Sequence, residues 1–196
     1  MDPLNRALGS PRLSWQRALG ACLLALACAL AIDPCRAQSD ASEYRVKAAF
    51  LYKFGSYVEW PEGVFARPDS PVAIGVMGAD ALAEELAQIA AGHSVNGRPV
   101  SVRRLRAGDS IAGLQVLFIG RADAARLPEI LASAKGRPLL TVTESEQALE
   151  LGSMINFVVV DDKVRFDVAL VPADLGSLKI SARLLGVARK VVSKPS

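Results

Sequence analysis

Three short runs dominate the middle of this chain: Val72-Ala-Ile-Gly-Val-Met77, Gln115-Val-Leu-Phe-Ile119 and Leu139-Leu-Thr-Val142. Each is too short for a helix and nearly unbroken in its apolar character. Strands that alternate apolar and polar residues have one wet face; strands apolar throughout are covered on both faces, as in parallel sheets. Helical patterns lie between these runs, over 79–91 and 123–134. Strands alternating with helices require crossovers, which return the chain parallel and right-handed. The expectation is an α/β domain, a Rossmann-like sandwich on a mostly parallel sheet.

Further elements follow from local signals. Val46, Ala49, Phe50, Phe54 and Tyr57 recur at helical spacing, which predicts a helix near 42–58 with Asp40 and Glu43 as a capping box. Trp60-Pro61 stops it, because a residue before proline avoids the helical region. The segment 61–71 reads as a loop, Val100 to Arg104 as a strand, and 144–151 as a short helix. A last helix is expected between Leu178 and Val192.

The stretch Ile155 to Val168 predicts a β-hairpin turning on Asp161-Asp162. That turn pairs Val160 with Lys163, Phe157 with Phe166 and Asn156 with Asp167. Side chains alternate along strands, so Ile155, Phe157, Val159, Val164, Phe166 and Val168 share a core face. The opposite face carries Asn156, Val158, Lys163, Arg165 and Asp167. That face is either solvated surface or a place where the protein meets something.

The first 37 residues read as a secretory leader. Arg6, Arg12 and Arg17 precede an uncharged run from Ala18 to Ile32. As a helix it would reach about 22 Å, short of the roughly 30 Å hydrocarbon core. Small residues before Gln38 suit cleavage after Ala37. Residues 38–196 then form a single domain located in the periplasm. All three cysteines, Cys22, Cys28 and Cys35, lie in the leader. The remainder would fold without a disulfide and rely on its core. The leader also holds four of the arginines, so a net charge of +3 for the whole chain falls close to neutrality. Such a balance offers no footprint for nucleic acid.

Catalytic signatures are weak. His93 is the one histidine, and with no cysteine beside it there is no metal-ligand set, nor any residue set implying another cofactor. Gly108-Asp-Ser-Ile-Ala-Gly113 is one residue too long for a nucleophile elbow, and its serine does not follow a strand. Gly75-Val-Met-Gly78-Ala-Asp80 could turn a strand into a helix around an anion but lacks the third glycine of a dinucleotide fingerprint. Arg98, Arg103, Arg104 and Arg106 suggest a basic patch for an acidic partner. Trp60, with Tyr57, is a candidate interface anchor or a packing residue. The residues assign no enzyme activity.

Several blocks, taken in order, carry a resemblance. They are Val46-Lys-Ala-Ala-Phe-Leu-Tyr-Lys-Phe54, Val58-Glu-Trp-Pro61, Asn96-Gly-Arg-Pro-Val100, Val116-Leu-Phe-Ile119, Gly152-Ser-Met-Ile-Asn-Phe157, Lys163-Val-Arg-Phe166 and Leu178-Lys-Ile-Ser-Ala-Arg-Leu-Leu185. From about Tyr44 to Val192 the chain resembles the YfiR family of periplasmic proteins, the DUF4154 domain. The resemblance implies a homodimeric repressor that binds the periplasmic portion of an inner-membrane GGDEF-type diguanylate cyclase, or of a sensor kinase, and keeps cyclic-di-GMP low. Relatives often show Cys where this chain has Gln115, so redox control does not carry over. The resemblance also implies that Asn156, Arg165, Lys179 and Ser181 sit near a ligand or partner surface, with Trp60 and Arg98 as further contact residues. The alternative reading is a solute-binding sensor for a small anionic metabolite that feeds a receptor or transporter.

Overall fold

The computed structural model describes residues 34–193. The chain divides into two units, 1–39 and 40–196. The expected leader lies outside the described residues, apart from the backbone of 34–37, which is helical.

The elements run α1 (Pro34–Phe54), β1 (Val58–Glu59), β2 (Val72–Met77), α2 (Asp80–Ala90), β3 (Ser94–Val95), β4 (Arg98–Leu105) and β5 (Val116–Ile119). A 3-10 turn, Arg121–Arg126, leads into α3 (Leu127–Ala134), followed by β6 (Leu140–Thr143), β7 (Ile155–Val160), β8 (Lys163–Ala169), α4 (Leu170–Leu175), β9 (Lys179–Ile180), α5 (Ala182–Leu185) and β10 (Lys190–Val192). Eight strands form one sheet in the order β10-β8-β7-β6-β5-β2-β4-β3, and β1 pairs with β9 in a separate ribbon. The central strands β4, β2, β5, β6 and β7 are parallel. The fold is the expected α/β sandwich on a mostly parallel sheet with a hairpin near its C-terminal end.

Alternation along each strand sorts the core into two layers. Val72, Ile74, Val76, Val116, Phe118, Leu140, Val142, Phe157 and Phe166 face α1 and α2 through Leu51, Phe54, Leu82 and Leu86. Ala73, Met77, Leu117 and Ile119 face α3 through Leu127, Ile130, Leu131 and Ala134. Phe54 is central to the first layer. Its ring centroid lies 5.1 Å from Phe166 in an edge contact and 5.7 Å from Phe157 in a stacked one. Aromatic pairs of this kind add about 0.5–1.5 kcal/mol beyond the area they bury.

The hairpin has the predicted register, pair for pair, from Ile155 with Val168 to Val160 with Lys163. Asp161 and Asp162 both take positive φ, 49° and 56°, the backbone that a two-residue turn needs to follow the strand twist.

Four expectations are corrected. The first helix begins at Pro34 and ends at Phe54, so Asp40 lies inside it and not at its start. Its buried stripe is Lys47, Ala48, Leu51 and Phe54, while Val46 is 41% exposed. The segment 145–151 forms turns instead of a helix, with Gln147 at φ 58°. The expected last helix resolves into a four-residue helix and two short strands.

The first layer is helix-covered as far as the hairpin. On the other face α3 covers β2, β5 and β6; among the described residues no helix covers β7 and β8, and α4 flanks β10. That uncovered area is the polar face of the hairpin.

Candidate functional site

Asn156, Val158, Asp167 and Ala169 form the floor of a groove of about 1080 Å³. One wall is the end of α3 and the turns of 146–152; the other is α4 and β10, with Val171, Pro172, Leu175 and Lys190. The walls meet where Gly176 passes the chain after α3. A Cβ on Gly176 would stand 2.5 Å from the Arg137 carbonyl oxygen, so only glycine allows this approach. Leu151 and Leu175, 45% and 56% exposed, stand on opposite rims.

The floor is buried yet polar. Asp167 accepts from Arg189 in a two-pronged ion pair, Nε at 2.8 Å and Nη2 on the second oxygen. This hydrogen bond and the carboxylate charge push the Arg189 guanidinium pKa up from its already high value. Asn156 is 7% exposed. Its Oδ1 accepts from the Thr143 hydroxyl at 2.8 Å and from the Ser145 N–H at 3.1 Å. A backbone N–H can only donate, so this contact fixes the amide orientation.

The other expected contact residues are scattered. Arg165 is exposed on β8 opposite Val158; the nearby Asp167 pairs with Arg189 and not with it. Lys179 lies on β9 opposite Glu59, in the small ribbon. Ser181 caps α5, its hydroxyl accepting from the Leu184 N–H. Trp60 and Arg98 do come together, through Phe65. Trp60 meets that ring edge-on at 6.1 Å, and the Arg98 guanidinium stacks on it at 3.9 Å while donating to the Arg67 and Ser70 carbonyls. The four arginines do not make one patch. Arg98 is engaged here, Arg104 pairs with Glu84 at 3.1 Å, and Arg103 points to the opposite face of β4 from Arg104. At Gly78 (φ 69°) a Cβ would stand 2.8 Å from Asp123 Oδ2, so a carboxylate of the chain adjoins the turn read as a possible anion seat.

One constellation escaped the sequence reading. Past the carboxyl ends of β5 and β6, Lys47 makes ion pairs with both Glu43 and Glu144. Arg121 donates to Glu43 at 2.8 Å and approaches Glu144 at 3.8 Å. Burial alone would raise the Glu43 carboxyl, but Lys47 and then Arg121 outweigh it and hold its pKa below the ordinary value. Burial would lower the Arg121 pKa, and the charges of Glu144 and Glu43 raise it on balance. A signal was present: Lys47 stands four before Leu51 and seven before Phe54 on the core stripe, where an unpaired lysine could not stay.

His93 is exposed, with Nδ1 2.8 Å from the Ala91 carbonyl oxygen, and the Ser110 hydroxyl accepts from the Ala112 N–H. Among the described residues no three His, Cys, Asp or Glu gather where they could hold a metal ion, and no helix is long and apolar enough to cross a membrane.

The layers and sites define an α/β sandwich domain with a groove on one face of its sheet. Residues 44–189 match the DUF4154 family, described as YfiR/HmsC-like, and the chain belongs to that family. The family is one of periplasmic regulatory proteins. No curated protein matches the chain. Among solved structures it is similar to that of a conserved domain protein from Vibrio cholerae O1 biovar El Tor N16961, with a TM-score of 0.55 and 12% identity over 76% of this chain. The chain spans 60% of that protein's length. The likeness is one of fold.

Proposed function

We propose that this protein is a periplasmic repressor. It is exported by the leader of residues 1–37, acts as a homodimer, and binds the periplasmic portion of an inner-membrane diguanylate cyclase so that cyclic-di-GMP stays low. The observation that carries the reading is the family match over residues 44–189. No catalysis is needed. A protein that binds one state of the cyclase more tightly than the other shifts its equilibrium by that difference in affinity.

The hairpin tip offers the contact surface for this partner. Val159 and Val160 are 46% and 39% exposed, and Lys163 and Arg165 are exposed beside them. An apolar centre with planar and point cations at its rim suits a partner surface that carries carboxylates.

The test is capture from native inner membranes of the source cells with the tagged protein, together with cyclic-di-GMP measured in cells that lack it. The reading expects a GGDEF-domain protein to be held, its capture weakened by Arg165→Ala, and cyclic-di-GMP to rise in the deletion strain. Unchanged cyclic-di-GMP with no cyclase captured overturns it.

A further inference from the structure

We propose that the groove over β7, β8 and β10 binds a small uncharged amphipathic molecule, whose carbonyl oxygen accepts from the Asn156 side-chain amide and whose alkyl body lies between Leu151 and Leu175. This inference is independent of the repressor reading, which places the protein partner at the hairpin tip.

The first support is a donor that opens on the groove. Asn156 Oδ1 is committed to Thr143 and Ser145, which turns Nδ2 and its two N–H groups away from them. Nδ2 donates to no group among the described residues, and it is not one of the fully buried atoms left without a partner, so it meets the space of the groove that Asn156 lines. A donor open to the groove is met by water, and a ligand acceptor that takes that water's place keeps the hydrogen bond while its apolar body gains from burial.

Charge selects the head group. The titratable residues lining the groove are Lys135, Arg189 and Lys190 against Glu146, Glu150 and Asp167. They balance, and the deepest of them, Asp167, is already neutralised by Arg189. Asp167 also lies directly opposite Asn156 in the ladder. A carboxylate on the Asn156 amide would face that oxyanion, whereas an amide or ester carbonyl would not. An anionic metabolite, the ligand of the alternative solute-binding reading, therefore fits this groove less well than a neutral one.

The walls select the body. Met154, Val158, Ala169, Val171 and Pro172 are apolar, with the exposed Leu151 and Leu175 above them. From β6 across β7 and β8 to β10 the floor is about 14 Å wide at ordinary strand spacing. A concave apolar site with one well-placed polar group is the usual form of a small-molecule pocket.

The test uses the protein as the cell makes it and three probes that share one alkyl chain: octanamide, octanoate and octylamine. Titration calorimetry gives affinity, and backbone amide shifts give location. Octanamide should bind one per chain, shift Asn156, Leu151 and Leu175, and bind more tightly than either charged probe. Asn156→Asp keeps an acceptor for Ser145 and removes both donors. It should weaken octanamide about tenfold, the share of one buried hydrogen bond. Leu175→Glu alters an exposed side chain, so its folding is secure, and it should weaken all three probes. Octanamide binding untouched by both variants, equal or tighter binding of octanoate, no binding of any probe, or shifts confined to another face would each overturn the proposal.

Discussion

Lys47 and Glu144, 97 residues apart in sequence, meet as an ion pair in which each side chain is 1% exposed. Glu43 and Arg121 complete the cluster, so two carboxylates and two cations neutralise one another. A buried pair of this kind contributes little against an apolar substitute, but breaking it strands a charge. Lys47→Met should therefore cost about 3–5 kcal/mol in urea denaturation. Adding Glu144→Gln removes the stranded charge and keeps an acceptor for the Arg121 N–H, and should restore most of that loss. A double variant no more stable than the single one would contradict this account.

The same cluster sets a dependence on acid. The folded Glu43 pKa lies below its ordinary 4.5. Its unfolded form therefore takes up protons first as pH falls, and the stability it contributes is full above 4.5 and lost as pH drops through the folded value. Melts of the native chain and Glu43→Gln should show a constant gap at neutral pH that narrows below 4.5. A gap that widens in acid would reverse the sign.

Gly120 tests how closely two crossover turns approach. A Cβ there would overlap the Gly78 carbonyl oxygen and stand 2.8 Å from the Ala79 Cβ. Backbone cannot yield as a flexible side chain can, so Gly120→Ala should cost about 1–3 kcal/mol or more. Gly186→Ala places its Cβ 3.4 Å from the Ala182 oxygen, an ordinary contact, and should cost under about 1 kcal/mol. Denaturant midpoints of the two variants make the comparison.

The hairpin turn holds two aspartates in the left-handed region. Glycine adopts that backbone without the steric cost of about 1–2 kcal/mol carried by other residues, and Asp-Gly is a preferred turn of this type. Asp162→Gly should stabilise the domain by about 0.5–1 kcal/mol, seen as a rise of a few degrees in Tm. A fall in Tm would show that Asp162 has a role beyond the turn.

The hairpin was legible because its information is local: a period of two, a two-residue loop, and Phe157 facing Phe166. β2, β5 and β6 were legible for a related reason, since strands covered on both faces admit few polar residues. The phase of α1 was misread because Val46, Ala49 and Phe50 were set on the stripe with Phe54 and Lys47 was not; the partner that lets Lys47 face inward is in another part of the chain. Strands β1, β9 and β10 have two or three residues each and exist because a neighbour pairs with them, as Val58 does with Ile180. Asn156 could be named from sequence, but the groove around it could not. It arises where, among the described residues, no helix covers β7 and β8, and no residue pattern announces that.

α1 emerges first among the described elements, yet its buried lysine finds a partner only at residue 144. A chain made from its amino end must hold this helix unseated while β2, β5 and β6 form. Contacts so distant in sequence slow the search for the native state. The interval is a stretch of time in which Phe54 and Leu51 lie bare, and the domain is then most open to capture by other chains.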